Sequence, residues 1–380
     1  MAKLIPIIVF SMILAFVADR SSGYSYDTRG IKQYTSKNRI FFVALVLVMA
    51  VFVGLRTSGN DTYTYQQMYE RIPDGIDAIF SVDWTDLAAA PGHQFISGCL
   101  KYIGASTQDY FMFFALISVP VYLWFIRKYT CNLTLSVYFF ITMGVYVFAM
   151  AAVKQTTAVA LLMVASDRAF EKKYVQFVVW LLIAELFHPY AFVYLIVPFM
   201  SFIPWTWKTY VLLVGTAVVS MGLSRLMGGI LAMTDVLGGD YSATEFLGEG
   251  VNIFRVLVVW VPVGLSFLAR KYIRVNSDRI SNYIINLTMV NAMVMFVGLF
   301  GTANYFARLA NYFLIFQTLS LPLIFNYFTK QSKRLLIIVS VLCYFVFFYY
   351  ENTIANGRFD EIYQFLSIYE YLGQLAGGIL

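Results

Sequence analysis

Charge is what this chain has least of: 13% of its 380 residues are Asp, Glu, Lys or Arg, where a soluble domain carries roughly 25%. Histidine occurs twice and cysteine three times, which argues against a dedicated zinc or haem site. Cys99, Cys131 and Cys343 are far apart, lack metal-ligand spacing and read as small apolar side chains. No Walker-type loop is present, and no basic loop is long enough to fold as a nucleotide-binding domain. Any energy the protein uses must then come from its substrate or an ion gradient. A small-residue cleavage site is also missing after the apolar segment Leu4 to Val17, where Asp19 and Arg20 follow instead. That segment reads as a first membrane span and not as a signal peptide.

Apolar sequence fills the space that charge leaves. Hydrophobic residues make up 60% of the chain and the mean hydropathy is +0.71. In a bilayer only helices or closed barrels satisfy their own backbone groups. Long runs such as those from Ile40 and Leu335 lack the alternation of barrel strands. The expected architecture is therefore all-α: one polytopic transmembrane helix bundle over residues 1–380, with about twelve spans. They fall near 3–18, 40–55, 110–126, 131–150, 152–167, 175–188, 190–204, 209–224, 251–269, 283–301, 306–327 and 335–350.

The loops between them alternate in charge. One set is basic: Arg20, Arg29, Lys32, Lys37 and Arg39, then Arg127 and Lys128, then Arg168, Lys172 and Lys173. It continues through Lys208, Arg270, Lys271, Arg274, Arg279, Lys330, Lys333 and Arg334. The other set is acidic, with Asp61, Glu70, Asp74, Asp77, Asp83, Asp86, Asp235, Asp240, Glu245, Glu249, Glu351, Asp360 and Glu361. The positive-inside rule puts the basic set in the cytoplasm, and both chain ends outside. Two outward segments are long, 56–109 and 224–250. The first holds turn signals at Pro73, Gly75, Pro91 and Gly92 and a helix-like stretch from Gln94 to Ile103.

Four stretches carry polar residues where lipid would disfavour them. Gly54 to Tyr69 places Arg56 at the outer end of a span, followed by Asn60, Asp61, Tyr63 and Tyr65. An arginine there can grip phosphate oxygens in a fork, or it can snorkel and pair with Asp61. Lys154 and Gln155 open a span at its outward end, where a helix N-terminus favours an anion and where an interfacial anchor would also sit. Glu185 and His188 share a helical face before a break at Pro189. An intramembrane acid is costly and a site by default, although the pair can equally be a capped helix end. His188 could exchange protons near neutral pH. Late in the chain Asn304, Tyr305, Arg308, Asn311 and Tyr312 recur at helical spacing. With Arg225 and Arg255, the outward side holds four arginines and Lys154 within an acidic surround, a site for a large anion. His93, in the outer loop after Pro91 and Gly92, reads as incidental.

In this order these motifs resemble the EpsG-like family of Wzy-type bacterial polysaccharide polymerases. The features are Gly-Leu-Arg56 followed by Asp61 and tyrosines, the Lys154–Gln155 pair, Phe-His188 closing a short span, and Asn304-Tyr305-x-x-Arg308-x-x-x-Tyr312. The resemblance covers roughly residues 40 to 330, with one departure: lysine stands at 154 where the family pattern often has arginine. It keeps the charge and loses the fork. What the resemblance implies is a lipid-dependent glycosyltransferase similar to the GT-C class. It would move a glycan from undecaprenyl pyrophosphate onto a lipid-linked repeat unit at the outer face of the bacterial cytoplasmic membrane. No cofactor, metal or nucleic acid is implied; the partners are the lipid-linked oligosaccharide, membrane lipid and a chain-length regulator protein. Arg56, Lys154, Arg255 and Arg308, with Arg225, would stabilise the leaving pyrophosphate. Asp61 or His188 would take the acceptor proton, and Tyr63, Tyr65 and Tyr305 would meet sugar rings, with Gln155 and Asn304 in the substrate site.

Two other classes fit parts of the pattern. A lipid-linked oligosaccharide flippase or carrier suits twelve spans, but no two-half repeat is visible and the polar residues favour one side. An O-antigen ligase shares the same physics and differs in its acceptor. O-antigen, capsule and exopolysaccharide systems are not distinguished.

Overall fold

The computed structural model describes residues 1–27, 31–236, 250–301 and 303–377, with the backbone alone for 223–236, 303–304 and 377. The chain is helical almost throughout. The first half runs through α1 (Leu4–Arg20), α2 (Ile40–Gly54), α3 (Thr62–Glu70), α4 (Asp77–Phe80), α5 (Pro91–Tyr102) and α6 (Thr107–Tyr129). It continues with α7 (Leu133–Thr142), α8 (Val145–Ala151), α9 (Val153–Phe170), α10 (Tyr174–Glu185) and a 3-10 helix at Ala191–Ser201. The second half holds α11 (Trp207–Val236), α12 (Ile253–Leu268), α13 (Arg270–Asn276), α14 (Arg279–Val297), α15 (Ala303–Asn311), α16 (Leu314–Ile324) and α17 (Lys330–Tyr350). Two short helices follow, α18 (Phe359–Ile362) and α19 (Ile368–Gly377).

Each of the apolar segments expected from the sequence coincides with helical structure. Among the described residues three helices, α6, α14 and the one from Lys330, are continuous, long and apolar enough to cross a membrane, and up to six spans result if each bent pair counts as one. The bends are 49° between α7 and α8, 72° between α12 and α13, and 54° between α15 and α16. Gly144 makes the first of them possible, with φ +85°, a conformation a side chain disfavours. Helix α11 runs to Val236, well into the stretch read as the second outer loop, and residues 237–249, with Asp240, Glu245 and Glu249, lie outside the described residues. One small antiparallel hairpin, β1 (Gly23–Tyr26) with β2 (Lys32–Ser36), forms within the first basic loop; Arg29 lies outside the described residues.

Helix α14 is the axis of the bundle, almost wholly buried and packed against α12, α15, α16 and the 3-10 helix. Its buried asparagines answer the broken helices around it. Asn286 Nδ2 donates to the Met200 and Phe202 carbonyls at 2.9 and 2.7 Å, where the 3-10 helix ends. Asn291 Nδ2 donates to the Ala310 carbonyl at 2.7 Å, beside the α15–α16 break. A carbonyl freed by a helix break has no water to turn to inside a bilayer, so a side-chain amide must supply the donor.

Polar contacts tie the segments together at each end of the bundle. At one end Lys32 bonds Asp19 at 2.7 Å, Arg127 bonds the Asn38 carbonyl at 2.6 Å and Arg279 bonds the Phe170 carbonyl at 3.2 Å. At the other end the Met1 amine and the Ala2 and Lys3 amides meet Asp360, while Lys3 Nζ donates to the Tyr363 carbonyl at 2.7 Å. The segment after α17 folds back over this second end. It pairs Thr57 N–H with the Gln364 carbonyl at 2.8 Å and Leu366 N–H with the Leu55 carbonyl at 2.9 Å. Gly59, at φ +115°, lets the Tyr363 ring lie where a Cβ would be 2.1 Å away.

The basic end is fastened by Asp167, fully buried, which pairs with Lys128, accepts from Tyr129 Oη at 2.5 Å and lies 3.0 Å from Arg168 Nη2. Asp167→Ala removes the acceptor of this cluster and is expected to cost roughly 1–3 kcal/mol. A lowered unfolding temperature of the detergent-purified protein checks it.

Candidate functional site

Three chain interruptions meet at the end of the bundle that holds Arg56: the α2–α3 loop, the α8–α9 junction and the α10-to-3-10 break, with α15 beside them. Each contributes polar side chains. Arg56 is 1% exposed. Its guanidinium stacks on Phe111 at 4.4 Å and donates from Nη1 to the Val53 carbonyl at 2.8 Å, while Nε has no partner. Burial lowers its pKa to about 10, so it remains a cation at neutral pH. Neither the snorkelling arginine nor the Asp61 ion pair occurs in this structure, because the guanidinium points into the bundle.

Lys154, half-buried, is the second residue of α9, and its backbone N–H donates to Tyr65 Oη at 3.4 Å. Gln155, 2% exposed, donates from Nε2 to the Arg308 carbonyl at 2.6 Å and so fastens α15 to α9. Two residues read separately in the sequence thus meet. Arg308 itself is half-buried. Both Lys154 and Arg308 lie within electrostatic reach of His188; Arg56 and Arg308 lie within reach of Tyr65. Among the described residues, none of these three cations has a carboxylate partner.

His188 sits in the break after α10 and bonds Tyr312 Oη from Nδ1 at 2.7 Å. Tyr194 Oη donates to the Tyr312 carbonyl at 3.1 Å, which fixes that strut. Glu185 turns away from His188: its carboxylate accepts from Phe192 N–H at 3.1 Å and caps the start of the 3-10 helix. The helical-face pairing of Glu185 with His188 does not form because α10 ends at Glu185. Asp61, half-buried at the start of α3, makes no capping bond. Tyr63 is exposed and accepts from Gln67 Nε2 at 2.7 Å. Tyr65 is buried, and Tyr305 packs its ring on Tyr190 at 5.4 Å. The side chains of Arg225 and Asn304 lie outside the described residues.

Arg255 stands apart from the cluster. Its Nε and Nη2 both donate to Glu351 Oε2, at 2.9 and 2.6 Å, and Nη2 also reaches Asn356 Oδ1 at 2.8 Å. These groups line a cavity of about 310 Å3 together with Asn60, Asn311 and Tyr363. Sequence reasoning missed Glu351, Asn356 and Tyr363 as cavity residues; only the acids of this segment carried a signal, as part of an outer loop. It also missed what lies behind Arg56. His93, 3% exposed, bonds Tyr110 Oη from Nε2 at 2.8 Å and stacks on Phe114 at 5.0 Å. Burial, and then the Lys154 charge, hold its pKa well below the ordinary value, so the ring is neutral at pH 7 and braces the wall. Among the described residues no three His, Cys, Asp or Glu side chains gather to hold a metal.

Lys154 lies in the first turn of α9, where a helix start favours an anion. Inorganic pyrophosphate is expected to raise the unfolding temperature of the purified protein. Lys154→Gln and Arg308→Gln should each weaken its binding by roughly 10- to 100-fold, the worth of one charge-assisted bond of about 1.5–3 kcal/mol.

Residues 39–370 match the EpsG family, nearly the whole chain. No curated protein and no solved structure matches it.

Proposed function

The chain belongs to the EpsG family of Wzy-like polysaccharide polymerases, and on that premise we propose that it elongates a glycan carried on undecaprenyl pyrophosphate. The acceptor is the non-reducing end of a lipid-linked repeat unit, at the outer face of the bacterial cytoplasmic membrane. One observation carries this reading: Arg56, Lys154 and Arg308 gather around His188 and Tyr65 with no carboxylate partner among the described residues. Positive charge held without a counter-ion in a low-dielectric site is worth most to a reaction whose leaving group gathers negative charge.

The step is a displacement at the anomeric carbon of the donor glycan. An acceptor hydroxyl attacks, the bond from that carbon to the pyrophosphate oxygen breaks, and undecaprenyl pyrophosphate leaves. Lys154 and Arg308, half-buried, meet the phosphates. Arg56 lies behind and adds its charge through the Phe111 wall. The acceptor proton goes to Asp61, whose carboxylate is not engaged in a helix cap, or to His188, whose ring Tyr312 orients from Nδ1. Tyr63, exposed at the same end, offers a ring face to sugar. No metal takes part in this scheme.

The finer architecture belongs to the same reading. Each of the roughly twelve helical segments, broken or continuous, crosses the membrane in a GT-C-like bundle. The end holding Lys32, Lys128 and Arg279 faces the cytoplasm, and a chain-length regulator protein is the expected partner.

Purified protein supplied with an undecaprenyl-pyrophosphate-linked repeat unit is expected to produce a ladder of longer lipid-linked glycans, unchanged by EDTA. Lys154→Gln or Arg308→Gln should lower the rate about 10²- to 10³-fold, and Arg56→Ala should abolish the ladder in protein that still reaches the membrane. A full ladder from these variants would sink the assignment. Movement of the lipid-linked sugar across liposomes without any ladder would identify a flippase instead.

A further inference from the structure

The cavity beside the cationic cluster has a chemistry of its own. Its volume of about 310 Å3 lies at the lower edge of the range for small-ligand pockets, about 300–1,000 Å3. It admits a short piece of glycan and not a whole lipid-linked repeat. Arg255 is the cation on its wall, and Glu351 neutralises it through two bonds to one carboxylate oxygen. A phosphate entering here would meet a charge already answered, with a carboxylate beside it.

The other polar residues of the wall are uncharged. Gln317, with no exposed surface, gives both amide hydrogens away, to the Val259 carbonyl at 2.9 Å and to Asn291 Oδ1 at 2.8 Å. Its Oε1 is left buried with no donor. The second carboxylate oxygen of Glu351, Oε1, is in the same condition. Neither oxygen has surface open to the cavity, so the polar groups that can face a ligand are others. Asn60 and Asn311 add amides on the same wall, and Tyr344 and Phe348 add ring faces. A ligand that suits this wall exchanges hydrogen bonds with amides and carries no charge. Sugar hydroxyls do so; a phosphate diester or an isoprenoid chain does not.

We propose that this cavity seats a neutral sugar unit of the glycan substrate, with the Asn60 and Asn311 amides meeting its hydroxyls and Tyr344 and Phe348 its ring faces. Arg255, neutralised by Glu351, is not a ligand of the pyrophosphate. The inference rests on the polymerase reading and deepens it by dividing the substrate between two compartments. Their junction is visible in the chain. Asn60 on the cavity wall precedes Asp61, Asn311 lies one helical turn from Arg308, and Tyr363 lines the cavity within electrostatic reach of Arg56 and Asp61. A sugar seated here presents its glycosidic end to the cations.

The test measures two probes on the full-length protein in detergent: the repeat-unit oligosaccharide released from its lipid, and inorganic pyrophosphate. Asn60→Gly and Asn311→Ala should each weaken the oligosaccharide several-fold to about tenfold, as loss of one hydrogen bond implies, with pyrophosphate unchanged. Lys154→Gln should do the reverse. Neither asparagine variant removes an ion pair, so both report even where Glu351→Gln unfolds. If Glu351→Gln tightens pyrophosphate and Arg255→Met weakens it, with the oligosaccharide unaffected, Arg255 binds phosphate and the inference falls. Wild-type protein that binds pyrophosphate but not the oligosaccharide also overturns it, while the polymerase reading stands. Binding of the oligosaccharide without pyrophosphate would leave the cavity assignment and remove the reading of the cluster.

Discussion

Holding Arg56 charged inside the bundle is the constraint around which this end of the protein is organised. An ion taken out of water without a partner costs several kcal/mol even after the surroundings relax, and Arg56 has a ring face, one carbonyl and no carboxylate among the described residues. The surroundings respond by being rigid. Gln108 donates to the Gly54 carbonyl, the 55–57 backbone is paired to the chain segment after α17, and neutral His93 and Tyr110 brace the far wall. A charge that costly persists where its field is used. The nearby Lys154 and Arg308 are half-buried and likewise have no carboxylate partner among the described residues, so positive charge gathers at this end.

Broken helices make such a site buildable. Continuous helices satisfy their own backbone and present only side chains, whereas the breaks after α8, α10 and α15 bring chain ends and polar side chains together. The amides of Gln155, Asn286 and Asn291 then cover the carbonyls that the breaks expose. The same device separates two compartments by charge. In one, cations lack carboxylates among the described residues. In the other, Arg255 is paired and amides line the wall. A lipid-linked glycan has the same division, with its negative charge confined to the pyrophosphate and its hydrogen-bond donors confined to the sugar.

Much of this could be read along the chain. Apolar runs located the helices, loop charge separated the two ends, and lysine and arginine in apolar sequence drew attention to 154 and 308. What stayed hidden depends on distance in sequence. Arg255 looked like a phosphate ligand because Glu351, which binds it, is separated from it by 96 residues. The chain after Tyr350 carried only the acids of an outer loop, yet it closes over Arg56 through backbone pairing that any residues could make. Glu185 and His188 were three apart, and only the end of α10 between them shows that they serve different partners. Amphipathic periodicity finds helices; it does not say where they stop or what folds back on them.

The central claim is that the substrate's charge and its sugar go to different compartments. The most direct measurement is a cryo-EM structure of the protein with an undecaprenyl-pyrophosphate-linked repeat unit bound. The account predicts phosphate oxygens within hydrogen-bonding distance of Lys154 and Arg308, and a sugar ring against Asn60, Asn311 and Tyr344. Phosphates seated on Arg255, with the Arg255–Glu351 pair broken, would contradict it.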